Sequence, residues 1–150
     1  MRSRAQSGFT LVELMVVLAI MGVASAAVVM SIPGDEEGAR ADAEQFGARL
    51  IAVRDRALFS GRETAALVDT DGYRFEERIG GQWVPIRDAP LDAERWDRNI
   101  AVDIGGEGAA RIRFDAVGLA EPAAIALTGG TRRLAVNVSA AGNVTIDAGN

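Results

Sequence analysis

The first part of the chain carries one long apolar run. Residues 9–32 read FTLVELMVVLAIMGVASAAVVMSI and contain a single charged residue, Glu13. At about 1.5 Å of rise per residue, a helix over this run would be about 36 Å long, whereas the hydrocarbon core of a bilayer is about 30 Å thick. The pattern therefore predicts a membrane-spanning helix over residues 9–32. Pro33, which lacks a backbone donor, is expected to end it.

A second helical pattern follows at residues 35–60. Apolar side chains recur there every three or four positions, at Phe46, Leu50, Val53 and Ala57. This spacing places them on one face of a helix. Gly61 suits the left-handed conformation that ends many helices. The pattern predicts an amphipathic helix whose apolar stripe packs on the rest of the domain.

From Thr64 onward the pattern changes to short β-prone segments separated by turn signals. Predicted strands cover residues 64–68, 73–78, 82–86, 100–104, 111–114, 124–127, 134–138 and 144–146. The glycine-rich breaks between them favour antiparallel pairing. The sequence thus predicts an α+β fold. In this fold a long N-terminal helix, with a transmembrane half and an amphipathic half, packs on small antiparallel β-sheets.

Charge sets the expected orientation of the apolar run. Arg2 and Arg4 are the only charged residues before it, and basic residues stay on the cytoplasmic side of an inner membrane. Residues after Pro33 would then lie on the far side. Glu13 is unusual, since a carboxylate inside a span costs about 2.5–3.5 kcal/mol. No basic residue occurs within residues 9–32, so its partner must be another chain or a newly formed N-terminal amine.

Composition excludes most catalytic chemistry. The chain has no Cys and no His, which removes cysteine nucleophiles, Ser-His-Asp triads and Cys/His zinc sites. We therefore expect a non-enzymatic protein with no metal, no cofactor and no small-molecule substrate. The net charge of −5 argues against nucleic-acid binding, which depends on Lys and Arg contacts to phosphate.

Two further features each have two interpretations. Asp69 and Asp71 precede Gly72 in a fragment similar to oxygen-ligand calcium loops. An ordinary turn also explains this fragment, and no glutamate follows at the spacing of an EF-hand. Trp83 and Trp96 suit either the core or a subunit contact, where tryptophan is enriched.

Residues 8–14, Gly-Phe-Thr-Leu-Val-Glu-Leu, follow a short basic leader and open the apolar run. This segment resembles the class III signal sequence of type IV pilins and type II secretion pseudopilins. The resemblance implies that a prepilin peptidase removes residues 1–8, cutting between Gly8 and Phe9, and N-methylates Phe9. It also implies that Glu13 helps to register each incoming subunit during assembly.

Two turn motifs near the C-terminus extend the resemblance. Residues 114–118 (Phe-Asp-Ala-Val-Gly) and 142–144 (Gly-Asn-Val) resemble turns in H-type minor pseudopilins and their type IV pilus relatives, with Ala116 replacing the usual Pro. This implies a pilin-like periplasmic domain over residues 33–150, held at the inner membrane by the single-pass helix. The implied function is a structural subunit of the type II secretion pseudopilus, which drives export of folded proteins across the outer membrane. Its partners would be the major pseudopilin, the minor subunits of the tip and the prepilin peptidase.

Two other functions are compatible with the sequence. One is a minor pilin of a type IV pilus, which in some systems takes up DNA; the arginines that would contact DNA are Arg111, Arg113, Arg132 and Arg133. The other is a periplasmic β-rich binding domain released by signal peptidase, with residues 24–26 (Ala-Ser-Ala) as the cleavage site. The charge inside the apolar run, and the continuation of the run past residue 26, disfavour this second alternative.

Overall fold

The computed structural model describes residues 10–30, 34–106 and 108–149. The chain forms two compact units, residues 1–33 and residues 34–150. In the first unit, α1 (Leu11–Met30) is a helix of 20 residues. No helix within the described ranges is long and apolar enough to cross a membrane. Residues 1–9 and 31–33 lie outside those ranges, and the leader, the span and their boundaries stay predictions.

The second unit begins with α2 (Asp35–Ser60), a helix of 26 residues. The described residues after α2 form nine strands: β1 (Thr64–Val68), β2 (Gly72–Ile79), β3 (Gln82–Pro85), β4 (Glu94–Arg95), β5 (Ala101–Asp103), β6 (Ala110–Phe114), β7 (Ala123–Gly129), β8 (Arg132–Val138) and β9 (Val144–Ala148). The predicted sequence of an amphipathic helix followed by strands is confirmed.

Both ends of α2 carry residues that suit a helix terminus. Asp35, Glu36 and Glu37 fill the first turn, where the positive end of the helix dipole favours carboxylates. At the other end Gly61 adopts a φ of 65° and donates its N–H to the carbonyl oxygen of Ala57 at 2.9 Å. This geometry confirms the predicted C-cap.

The strands pair antiparallel in two sheets. The first sheet has the order β3-β2-β1-β6, with β4 also pairing with β2, and the second has the order β5-β7-β8-β9. In the first sheet Ala66 of β1 lies opposite Phe75 of β2 on one side and Ile112 of β6 on the other. All three side chains are buried, which shows that this face of the sheet forms part of the core.

The predicted stripe on α2 lies at the centre of the core. Phe46, Leu50, Val53 and Ala57 are fully buried. The helix contacts strands of both sheets. Large buried side chains come from each sheet, at Phe75, Ile112 and Phe114 in the first and at Ile125, Leu127 and Val136 in the second. One helix face therefore covers two sheets.

The second sheet approaches α2 most closely at the end of β7. A Cβ atom at Gly129 would overlap the carbonyl oxygen of Asp35 and would lie 2.9 Å from the Cβ of Ala39. Only glycine leaves room for this contact between strand and helix backbones. The end of β7 is thereby set against the first turn of α2.

The strand predictions were wrong at one segment and inexact at several ends. β4 was not predicted, because its two charged residues show no alternation of apolar and polar positions. β5 is shorter than the predicted strand over residues 100–104, and β3 ends at Pro85 rather than at residue 86.

Trp96 belongs to the core. Its ring lies 5.3 Å from that of Phe46 and 4.8 Å from that of Tyr73 between centroids. Its Nε1 atom donates a hydrogen bond of 2.9 Å to the carbonyl oxygen of Asp69. Trp96 therefore holds the segment between β3 and β5 on the domain, whereas Trp83 is partly exposed.

A buried carboxylate joins β2 to α2. Glu77 is 4% exposed and accepts a hydrogen bond of 3.1 Å from Nη2 of Arg56; Arg62 lies 3.6 Å away. Burial acts to raise the pKa of Glu77, but the hydrogen bonds from Arg56 and Ser60 and the charges of both arginines outweigh it. The net effect is a lowered pKa.

We predict that Glu77→Gln lowers the free energy of unfolding at pH 7 by about 1.5–3 kcal/mol, because charge-assisted hydrogen bonds are lost. The pKa of Glu77 is lower in the folded protein than in the unfolded chain. The stabilisation by its carboxylate is therefore complete above the pKa of an unfolded glutamate, about 4.3. The contribution disappears as the pH falls through the folded pKa. The difference between wild type and variant should therefore shrink below about pH 4. Urea unfolding of residues 34–150 at several pH values measures it.

Glu44→Gln is the matched control for this prediction. Glu44 pairs with Arg40 one helical turn away, at 2.7 Å, on the exposed surface of α2. Exposed pairs of this kind contribute little to stability, so Glu44→Gln should have a much smaller effect than Glu77→Gln. Equal losses in the two variants, or a loss in Glu77→Gln that does not change with pH, would contradict the assignment of Glu77.

Candidate assembly site

The start of α1 is capped by Thr10. Its Oγ1 atom accepts a hydrogen bond of 3.2 Å from the backbone N–H of Glu13, and its carbonyl oxygen accepts one of 3.2 Å from the N–H of Leu14. This is the N-cap geometry. The sequence signal for it is a Thr three residues before a Glu at the start of an apolar run, and the sequence reasoning missed it. Thr10 fixes where α1 begins.

Glu13 lies in the first turn of α1, and it is exposed. Within the described residues no ion pair involves its carboxylate. The cap bond uses its backbone N–H, so the side chain stays available for another group. Gly8 and Phe9, the predicted processing residues, lie outside the described residues, and their roles stay predictions.

Apolar side chains project from α1 in all directions. Eight large ones in its first three turns are 40–76% exposed: Leu11, Val12, Leu14, Met15, Val16, Val17, Leu18 and Ile20. A helix that is apolar on every face is stable only when something else surrounds it, either protein or lipid. The side chains of α1 therefore need an apolar environment that the helix does not supply itself.

The first C-terminal motif, residues 114–118, forms a rigid turn. One oxygen of the Asp115 side chain accepts hydrogen bonds from the backbone N–H groups of Val117 at 3.0 Å and Leu119 at 2.8 Å. Gly118 adopts a φ of 81°, which disfavours any other residue. Phe114 is fully buried and anchors the turn in the core. The motif thus combines a core anchor, a carboxylate that closes the turn and a left-handed glycine.

The second motif, residues 142–144, packs on the first. A Cβ atom at Gly142 would overlap the carbonyl oxygen of Gly118 and would lie 3.1 Å from Nε of Arg54. A Cβ atom at Gly118 would lie 3.3 Å from the same Nε atom and 3.0 Å from Leu58. Both predicted motifs therefore meet at the last turns of α2, against Arg54 and Leu58.

We predict that Gly142→Ala destabilises the domain by about 2–4 kcal/mol, because it combines left-handed strain with an overlap that must move the Gly118 turn. Gly142 has a φ of 73°. The control is Gly80→Ala, at a φ of 59° with no atom within 4 Å of the added Cβ. The control should be destabilised only by the left-handed strain, by about 1–2 kcal/mol. Equal losses by thermal unfolding would contradict the tight packing of the two turns.

The Asp69–Gly72 fragment forms a turn that is closed by the side chain of Asp69. One oxygen of the Asp69 carboxylate accepts hydrogen bonds from the N–H groups of Asp71 and Gly72, each at 2.9 Å. Its other oxygen lies 3.8 Å from Arg74. Among the described residues no cluster of three or more acidic side chains is placed to hold a metal ion. The turn interpretation accounts for these contacts.

The arginines considered for DNA contact are mostly engaged with carboxylates. Arg111 lies 3.2 Å from Glu76, and Arg133 lies 3.1 Å from Asp103. Arg113 is paired in the same way with Glu121, at 2.8 Å. Three of the four candidate cations are thus neutralised locally, which weakens the attraction that phosphate binding requires.

A capped apolar helix with an acidic residue in its first turn, followed in sequence by an α+β domain, is the arrangement of pilin-like proteins. The prokaryotic N-terminal methylation motif matches residues 3–29. The chain belongs to the Type II transport protein GspH family, whose model matches residues 42–142.

Curated relatives agree with this family. Type II secretion system protein H of Escherichia coli K12 is 30% identical over 109 residues, covering 66% of this chain and 64% of that protein. The protein of the same name from Klebsiella pneumoniae is 33% identical over 95 residues, covering 61% and 55%. The chain therefore spans less than two thirds of the length of each of these two curated relatives.

Solved structures confirm the pilin-like α+β fold. The minor pseudopilin EpsH from the type 2 secretion system of Vibrio cholerae aligns with a TM-score of 0.65 at 18% identity, covering 73% of this chain and 96% of that structure. The type IV minor pilin FimU of Pseudomonas aeruginosa aligns with a TM-score of 0.56 at 20% identity, covering 72% and 87%. At these identities the likeness concerns the fold.

Proposed function

We propose that this protein is a minor pseudopilin of the H type, a structural subunit of a type II secretion pseudopilus. The observation that carries the proposal is the family match over most of the second unit, residues 42–142, joined to the methylation motif at residues 3–29. The subunit contributes contacts rather than catalysis. Its filament takes part in moving folded proteins across the outer membrane.

Processing and anchoring form the first part of the proposal. Prepilin peptidase removes residues 1–8 and methylates the new N-terminus at Phe9. The apolar run over residues 9–32 then anchors the protein in the inner membrane as a single-pass helix, and residues 33–150 lie in the periplasm. The length of the run, its single charge and the basic residues before it support this arrangement.

Assembly is the second part of the proposal. The Glu13 carboxylate has no partner of opposite charge on the described part of α1, and cleavage creates an α-amine at Phe9. Pairing Glu13 with the amine of a neighbouring subunit gives each charge a partner, which lowers the cost of keeping both in an apolar surrounding. The partners are the major pseudopilin and the minor subunits of the tip.

We predict that the mature protein begins with an N-methylated Phe9 in cells that have prepilin peptidase activity. In cells without this activity the protein should keep residues 1–8 and an unmethylated N-terminus. Intact mass and N-terminal sequencing of the membrane-extracted protein measure both states. A mature N-terminus at Ala27 would instead indicate signal peptidase and a released periplasmic domain.

We predict that Glu13→Ala leaves cleavage and methylation intact but greatly reduces the amount of the protein that copurifies with filament subunits. The Thr10 cap should survive, because it uses the backbone N–H of residue 13. Glu37→Ala is the control, since it removes an exposed acidic side chain from the first turn of α2. Normal copurification of Glu13→Ala would contradict the assembly role.

A minor pilin of a type IV pilus is the second candidate, because the fold also aligns with FimU. The two candidates differ in the process that fails when the gene is deleted: protein export for a pseudopilin, and pilus function for a minor pilin. A minor pilin that binds DNA would also show an affinity for DNA that falls as the salt concentration rises.

A further inference from the structure

An exposed apolar surface lies where α2 ends. Four side chains form it, and we name them the helix-end patch: Leu58 is 44% exposed, Phe59 is 92% exposed, Val117 is 69% exposed and Leu119 is 52% exposed. The two halves of the patch touch, since the backbone of Gly118 packs against Leu58. The helix end is therefore in contact with the turn at Gly118, and Val117 and Leu119 flank that glycine.

A cation without a partner lies against the helix-end patch. Of the four arginines on α2, three pair with carboxylates: Arg40 at 2.7 Å, Arg49 at 2.9 Å and Arg56 at 3.1 Å. Arg54 pairs with no carboxylate among the described residues. Its Nε atom is buried and has no hydrogen-bond partner. The Nε atom lies beneath the turns at Gly118 and Gly142, whereas the side chain as a whole is only partly buried. The charge of Arg54 can therefore still attract a carboxylate from another protein.

The patch is held in place before any partner arrives. Asp115 fixes the backbone of Val117 and Leu119 through its side-chain oxygen, and Phe114 anchors the turn in the core. A rigid surface loses little conformational entropy on association. Exposed Phe and a nearby Arg are also the residue types that are enriched in protein interfaces.

We propose that the helix-end patch docks a different pseudopilin of the same filament. The contacting segment of that partner places apolar side chains on Phe59 and Val117 and a carboxylate on Arg54. A carboxylate matches the guanidinium group geometrically and electrostatically. The proposal rests on the proposed function, because a minor subunit has other subunits as its neighbours.

The charge pattern favours a protein partner over a membrane surface. Attraction to anionic lipid needs several basic residues together, whereas Arg54 is the one cation that lies against the turn without a carboxylate partner in the described structure. Arg56 and Arg62 are nearby in sequence, but both face the carboxylate of Glu77. A single unpaired cation beside apolar side chains instead suits one carboxylate on a protein segment.

The experiment places a photo-crosslinking amino acid at position 59 of the full-length chain in cells that make the complete secretion system. The control places it at Ile79, an apolar residue with 44% exposure on β2. Mass spectrometry identifies the crosslinked peptide. The proposal expects a crosslink from position 59, and not from position 79, to another subunit processed by prepilin peptidase, at a peptide that contains Asp or Glu.

Variants at Arg54 then test the ion pair. Arg54→Gln should reduce the crosslink about tenfold or more, as expected for loss of a charge-assisted contact. Arg54→Glu should abolish it, and changing the partner's carboxylate to Arg should restore it. Restoration excludes a simple folding defect, because the second change is on another protein.

A crosslink from position 59 to lipid or to a second copy of this chain would overturn the proposal, as would an undiminished crosslink in Arg54→Gln. Methylation of Phe9 and export of substrate proteins are measured in the same cells. If both are normal while the expected crosslink is absent, the docking proposal fails and the proposed function stands. If Phe9 is not processed, the proposed function itself fails.

Discussion

The domain depends on the burial of one face of α2 against two sheets. Each sheet has only four or five strands, and a small sheet is stable only when one face is covered. Phe46, Leu50 and Val53 supply that cover from a single helix. Because the same apolar stripe packs on both sheets, loss of packing against one sheet would also destabilise the other. The glycine contact at the end of β7 tightens this arrangement at the start of the helix.

Local patterns predicted the elements but not the contacts between distant segments. The stripe on α2, its C-cap at Gly61 and most strands follow from periodicity and turn chemistry, which act over a few residues. The meeting of Arg54, Gly118 and Gly142 joins segments far apart in sequence, and nothing local encodes it. β4 escaped prediction because its two charged residues show no alternation of apolar and polar positions. For the candidate site, the sequence motif around Glu13 could be recognised directly. The Thr10 cap was missed because its signal, a Thr three residues before a Glu, lies within the same motif.

The ion pairs between α2 and the first sheet fix the position of the helix more than they raise the stability of the domain. Arg49 and Arg56 reach from α2 to Glu94 and Glu77, on different strands of the first sheet. A partly exposed pair adds little net free energy, but a buried carboxylate such as Glu77 is costly in any arrangement that leaves it unpaired. These contacts therefore penalise a shifted register between helix and sheet. Among the four arginines of α2, Arg54 is distinctive because no carboxylate of the described residues pairs with it.

The edges of both sheets have a consequence for how the protein behaves at high concentration. β3 and β5 have only four and three residues, and β3 ends in Pro85. The edge strand β6 carries Arg111 and Arg113, and the edge strand β9 carries Asp147. Short, charged or proline-terminated edges resist uncontrolled strand-to-strand association. The protein is therefore expected to tolerate high local concentration without aggregating through its strands, which leaves specific contacts to its side-chain surfaces.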